Sequence, residues 1–228
     1  MTAAAGEILR LRCASLRMTE EKKMKKPFKV MIAVPCMDYV HVDFMNSLLK
    51  LCQHLQHEGI VYRTEVLSGT LIYFARNNLA NKAACEGFTH ILFIDSDMVF
   101  DESIVETLQF VDKDIVCGAF QARRSPYGSC VFKSLNPVRR VKEYGAVPFQ
   151  VEGCGMACTM ISTEVIKEVQ SRYGNPFDPD KINGITFGED TAFCWRARQC
   201  GFEIWCDPAA RIGHIAHVPI YPGEEPAT

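Results

Sequence analysis

Between residues 28 and 120 the chain alternates between short apolar runs and longer stretches with apolar residues every third or fourth position, and this rhythm restricts the fold more than any other feature. Phe28-Lys-Val-Met-Ile-Ala-Val34 is stopped by Pro35. An unbroken apolar run of that length reads as a strand covered on both faces. Val42, Met45, Leu48, Leu49, Cys52 and Leu55 then recur at helical spacing, and Gly59 closes the segment. The same reading gives a strand at 60–67, a helix at 71–85 ended by Gly87, a strand at 90–95, a helix at 101–112 and a strand at 114–120. Strand, helix, strand in strict succession implies crossover connections. The expected class is therefore α/β, a mainly parallel Rossmann-like sheet flanked by helices, with ligands at the carboxyl ends of the strands.

After Phe120 the rhythm breaks. Residues 121–150 are rich in Arg, Gly and Pro, which predicts short antiparallel strands and long loops, a small antiparallel portion in the C-terminal half. Order returns at 151–161, followed by a helix from Ser162 to near Gly174, a loop at 175–188, a helix at 189–200 and a strand at 202–206. A chain of 228 residues fits one domain, here 27–228, preceded by a flexible basic extension at 1–26. That extension holds seven of the 25 Lys and Arg but three of the 27 Asp and Glu, so the body is mildly acidic. Such a balance excludes a nucleic-acid footprint spread over the whole surface. Eleven cysteines without a CxxC pair form neither a disulfide framework nor a zinc motif and read as buried, reduced thiols. With no apolar run near the ~20 residues of a membrane span and no signal-peptide pattern, the expected location is cytoplasmic.

Three stretches carry chemistry. Asp95-Ser96-Asp97 leaves the third strand at the ligand edge, and two carboxylates one residue apart share a side. Hard oxygen ligands of this kind suit Mg²⁺ or Mn²⁺ bridging to a diphosphate; the structural alternative is an acidic lead into the next helix. Gly188-Glu189-Asp190 delivers two acids to a helix start. The helix dipole holds Asp190 ionised, as a general base requires, although both acids also suit plain dipole compensation. Arg211-Ile-Gly-His214-Ile-Ala-His217 offers two imidazoles, as metal ligands or as structural histidines. Gly153, Gly155 and Ala157 either let backbone approach a ligand or allow close packing. Arg123, Arg124, Arg139 and Arg140 read as a solvated loop face rather than an anion site.

Together these stretches resemble the glycosyltransferases of the GT-A fold, family two in particular, from about Phe28 to His217. The resemblance is carried by Ala33-Val-Pro-Cys36, Ala75-Arg-Asn-Asn-Leu-Ala80, Asp95-Ser-Asp97, Gly153-Cys-Gly-Met-Ala157 and Gly188-Glu-Asp190, with Arg196 and Gly201 downstream. It implies a nucleotide diphospho-sugar site made by Pro35, Cys36, Asp38, Arg76, Asn77, Asp95, Ser96, Gly153 and Gly155. Arg211-Ile-Gly-His-Ile215 is similar to the Arg-Val-Gly-His-Ile stretch of polypeptide N-acetylgalactosaminyltransferases, which points to His214 rather than His217 as a metal ligand. His214 would act with Asp97 and Asp95 on Mn²⁺ or Mg²⁺. The acid following Glu189 is Asp190, as in inverting members, which implies inversion with Asp190 as base. The implied function is a metal-dependent transferase of hexosyltransferase type, with UDP favoured over GDP in the donor. The acceptor hydroxyl stays open among glycan, small molecule, protein and nucleic acid. The alternatives are a non-catalytic nucleotide-sugar or glycan-binding module of the same fold, and a nucleotidyltransferase. A missing Gly-rich loop with Lys after the first strand counts against the last.

Overall fold

A computed structural model describes residues 27–124, 127–182 and 184–216. The basic extension at 1–26 and His217 lie outside the described residues. The first strand, β1 (Lys29–Pro35), is buried along almost its whole length. It pairs in parallel with β2 (Val61–Leu67) on one side and with β3 (His90–Ile94) on the other. Helices α1 (Val42–His57) and α2 (Ile72–Cys85) make the crossovers. After the two-residue strand β4 (Met98–Val99) come α3 (Ile104–Phe110) and β5 (Ile115–Ala119). The helix expected at 101–112 is shorter because the Asp101 carboxylate accepts hydrogen bonds from the Ser103 N–H at 2.9 Å and hydroxyl at 2.7 Å, holding a turn.

The excursion expected after Phe120 contains β6 (Val131–Leu135), β7 (Val138–Arg140), β8 (Phe149–Val151) and β9 (Gly153–Cys154). It returns through β10 (Cys158–Ser162), which lies between β3 and β5 and runs antiparallel to both. No helix precedes β10, so the chain re-enters from the carboxyl edge and points backwards. Ser162 caps α4 (Thr163–Tyr173) by accepting from Val165 N–H, and Gly174 at φ 76° ends it. The loop expected at 175–188 holds a hairpin, β11 (Asp180–Ile182) with β12 (Ile185–Phe187). Then follow α5 (Glu189–Gln199), β13 (Ile204–Arg211) and β14 (Gly213–His214).

The central sheet has the order β2-β1-β3-β10-β5-β13-β8. Only β10 and β8 run against the other five strands, so the sheet is mainly parallel, as expected. Alternate residues of each strand feed two cores. Val30, Ile32 and Val34 of β1 face Phe44, Leu48, Leu51 and Leu55 of α1 and Ile104 and Leu108 of α3. Met31 and Ala33 face Leu79 and Ala83 of α2, Val165 and Val169 of α4 and Phe193 and Ala197 of α5. Burial on both faces explains why the strands read as continuous apolar runs.

Candidate functional site

The carboxyl ends of β1 and β3 end in polar loops that are tied together. The Cys36 thiol donates to the Tyr39 carbonyl at 2.9 Å, the Ser96 hydroxyl donates to the same carbonyl at 3.3 Å, and the His41 N–H donates to the Ser96 carbonyl at 3.0 Å. The loop carrying exposed Asp38 is thereby fastened to the Asp95-Ser96-Asp97 turn, and Pro35 is the last residue of the buried strand beneath it.

Arg76 links the first acidic motif to the second. It rises from the first turns of α2, its side chain is 3% exposed, and its Nη2 donates to Asp95 Oδ1 at 2.9 Å. Its Nε lies 3.8 Å from Glu189 Oε1 at the start of α5. The guanidinium also lies over the Phe93 ring, 5.5 Å from its centroid. Two of its nitrogens, Nε and Nη1, are buried without a hydrogen-bond acceptor among the described residues. A buried cation retains unsatisfied donors at a cost of about 1–3 kcal/mol each, which favours an anion beside it.

Asp190 follows Glu189 in the first turn of α5, with Oδ1 accepting from the Thr191 N–H at 2.7 Å. Its pKa is pushed up to about 6, chiefly by burial and then by the Glu189 charge, while the Thr191 N–H and the Arg76 charge pull the other way. The Cys130 thiol is raised by burial, and the charges of both Asp190 and Asp95 add to that rise, so both motifs face one neighbourhood.

Asp97 sits in a second polar group. The pairing of β14 with β4, His214 opposite Met98, and the hydrogen bond from Ile215 N–H to the Asp97 carbonyl at 2.9 Å bring His214 to the motif. His214 Nε2 is 3.3 Å from Asp97 Oδ2, and His214 Nδ1 is 2.8 Å from the Gln121 carbonyl. Arg123 also forms an ion pair with Asp97 Oδ2. Burial acts to raise the Asp97 pKa, but the His214 hydrogen bond and the charges of His214 and Arg123 overcome it and hold the carboxyl below its usual value. The His214 pKa is raised, first by its hydrogen bond to Asp97.

A carboxylate beside an imidazole whose Nδ1 is fixed by a carbonyl is a donor set that fits Mn²⁺ or Mg²⁺, since Nδ1–H donation orients Nε2 as a ligand. Among the described residues no three His, Cys, Asp or Glu side chains converge tightly enough to form a complete ligand set. Asp95 Oδ1 is engaged by Arg76.

Other expected site residues have structural partners. The Asn77 amide donates to Asp178 Oδ1 at 2.8 Å and accepts from the Phe177 N–H at 2.9 Å, latching α2 to the 175–188 loop. Arg196 holds the same loop through the Pro176 and Asp178 carbonyls and Asp180. A Cβ on Gly153 would lie 3.0 Å from Leu135 Cδ2, and one on Gly155 3.0 Å from Phe120 Cζ. Both glycines are thus closely packed against these side chains. Arg123 is exposed, as expected of a solvated face, and in addition its guanidinium forms an ion pair with Asp97. Neither Arg123 nor the Gln121 carbonyl has a sequence signature, because a loop arginine and a backbone oxygen are common to any chain.

No family model matches the sequence, and no curated protein matches it. Solved structures do match. The crystal structure of A197 from STIV aligns with a TM-score of 0.56 and 20% identity over 83% of this chain and 86% of that one. A Drosophila β-1,4-galactosyltransferase 7 mutant in complex with manganese, UDP-Gal and xylobiose aligns with a TM-score of 0.44 and 12% identity over 83% of this chain and 71% of that one. The likeness to A197 is one of fold: a mixed α/β domain with a large, mainly parallel sheet, flanking helices and a small antiparallel sheet.

Proposed function

We propose that the chain is a divalent-metal-dependent glycosyltransferase that moves a sugar from a nucleotide diphospho-sugar, with UDP the favoured nucleotide, to an acceptor hydroxyl with inversion. The observation that carries this reading is the gathering of Arg76, Asp95, Glu189 and Asp190 at the end of the sheet from which Asp97 also projects, with two buried Arg76 nitrogens lacking acceptors. Arg76 supplies fixed positive charge to the diphosphate, and Asp95, Ser96 and the loop from Cys36 to Tyr39 border the nucleotide. Asp97 and His214 hold Mn²⁺ or Mg²⁺, and the ion when bound offsets charge on the departing diphosphate. Asp190 accepts the proton of the acceptor hydroxyl as its oxygen bonds to the anomeric carbon. The bond from that carbon to the diphosphate oxygen breaks on the opposite face, carrying its electron pair into the leaving group. A carboxyl with a pKa of about 6 is mostly ionised at neutral pH and more basic than an ordinary Asp, as this role requires.

The second reading, a non-catalytic binding module of this fold, is favoured by one observation: Arg123 neutralises Asp97 with a protein cation. Both readings keep the protein in a reducing compartment, where buried thiols such as Cys117, Cys154 and Cys194 stay unpaired. Among the described residues no helix is long and apolar enough to cross a membrane. Calorimetric titration of UDP and of GDP, each with Mn²⁺ and with EDTA, is the deciding experiment. Metal-dependent binding of one nucleotide, with turnover of its hexose conjugates that Asp190→Asn abolishes, supports the enzyme. Metal-dependent binding without turnover of any conjugate supports the module. No binding of either nucleotide under any condition overturns the enzyme and leaves a glycan-binding module of this fold.

A further inference from the structure

A cavity of about 800 Å³ opens beside Arg123 and His214. Its walls come from 119–123, Tyr127, Tyr144, Gly145, Pro208, 211–214 and Ala216, and none of Pro35, Arg76, Asp95 or Asp190 borders it. Gln121, Arg123 and His214 are residues it shares with the site described above. Among the described residues its charged lining side chains are Arg123, which is paired with Asp97, and Arg211, with the imidazole of His214 beside them and no carboxylate. Arg211 is exposed at the end of β13 and has no ion-pair partner among the described residues. Two tyrosines complete the wall. Tyr144 is held by a 2.6 Å hydrogen bond between its hydroxyl and Ser129, and Tyr127 sits in a turn at φ 42° with its ring 45% exposed.

A guanidinium beside aromatic faces, with no acid against it among the described residues, suits a ring compound that bears an anionic group. The planar fork binds carboxylate or phosphate in bidentate fashion, and tyrosine packs against the apolar face of a ring while its hydroxyl stays polar. We propose that this cavity is the acceptor site and that it takes an anionic saccharide, with the charge of a carboxylate or phosphate group on Arg211 and the sugar ring against Tyr127 and Tyr144. The inference rests on the glycosyltransferase reading for the word acceptor, but the site's chemistry stands on its own residues.

The test is an NMR chemical-shift titration of the full chain with methyl β-glucuronide, glucose 6-phosphate and, as the neutral control, methyl β-glucoside. The expected result is that at least one anionic sugar binds about tenfold more tightly than the glucoside, and that Arg211→Ala removes that preference. A preference confined to glucuronide identifies a carboxylate ligand, and one confined to glucose 6-phosphate a phosphate ligand. Equal binding of all three sugars, a preference that survives Arg211→Ala, or binding of none of them overturns the proposal. Competition by UDP with the anionic sugar also overturns it, since the cavity would then belong to the donor. Retained UDP and Mn²⁺ binding by Arg211→Ala shows that the variant is folded. If UDP fails to bind the parent chain while the sugar preference and its loss in Arg211→Ala hold, the donor reading fails and the anionic-saccharide site remains.

Discussion

At the scale of single residues, Asp190 holds the sharpest conflict between stability and function. Its carboxyl has an unperturbed pKa of 3.8 and a folded value of about 6, because burial and the Glu189 charge disfavour ionisation. A raised acid binds its proton more tightly in the folded state, so its contribution to stability is present at low pH and is lost as pH rises from about 4 to about 6. At neutral pH the ionised group therefore destabilises the fold. Asp190→Asn is expected to raise stability at pH 7.5 by on the order of 1–2 kcal/mol, measured by urea unfolding, while turnover falls at least a hundredfold. A variant that is inactive and also less stable would contradict the cause assigned here. The pH profile follows from the same value: kcat/KM should fall as pH drops below about 6, and Asp190→Glu should move that limb. At Asp97 the charge of Arg123 opposes a metal cation as well as stabilising the carboxylate. Arg123→Ala is expected to tighten Mn²⁺ binding several-fold and His214→Ala to weaken it about tenfold or more, both read by titration calorimetry.

At the scale of elements, the site depends on how β13 crosses β5. The register of this pair shifts between Asp207 and Arg211, and the bulged segment passes so close to Gly118 that an added Cβ would overlap Ile212 Cδ1 and lie 2.7 Å from the Ala210 carbonyl oxygen. The bulge precedes β14, which carries His214 to Asp97. Gly118→Ala should cost about 1–3 kcal/mol through overpacking and should weaken Mn²⁺ binding as well, a pairing of effects that thermal melting and calorimetry would separate. Such a glycine is one of several small residues in an apolar run, and its role is legible only once the crossing strand is in view. The loop at 175–188 is a comparable case. Its ends follow from the helices around it, but the Asn77 and Arg196 hydrogen bonds that clamp it join residues far apart in the chain. Arg196 is 5% exposed, and Arg196→Ala leaves buried carbonyls unpaired, which should cost about 2–4 kcal/mol in urea unfolding.

At the scale of the whole molecule, donor and metal should act as one ligand. Mn²⁺ and UDP added together at about a hundred times their dissociation constants are expected to stabilise the fold by about 2.7 kcal/mol, and EDTA should remove most of that gain. The architecture was largely written in local pattern. Apolar runs such as residues 28–34 and helical spacing such as that from Val42 to Leu55 are set by periods of two and 3.6 residues, so strands, helices and the ligand edge could be read without a structure. Asp95 and Asp97 at a strand end, and Glu189 and Asp190 at a helix start, were legible for the same reason. Pairing across long stretches of chain has no local period. That Gly153 and Gly155 pack against Leu135 and Phe120, that Asn77 bonds Asp178 and that Arg123 pairs with Asp97 depends on the return of β10 between β3 and β5, on loop closure and on the two-residue ladder between β4 and β14. The sequence by itself thus determined the elements and the edge of the sheet where chemistry gathers, because burial is written into neighbouring residues. Only the tertiary structure decided which charges meet there, because a contact between distant residues depends on how the whole chain closes upon itself.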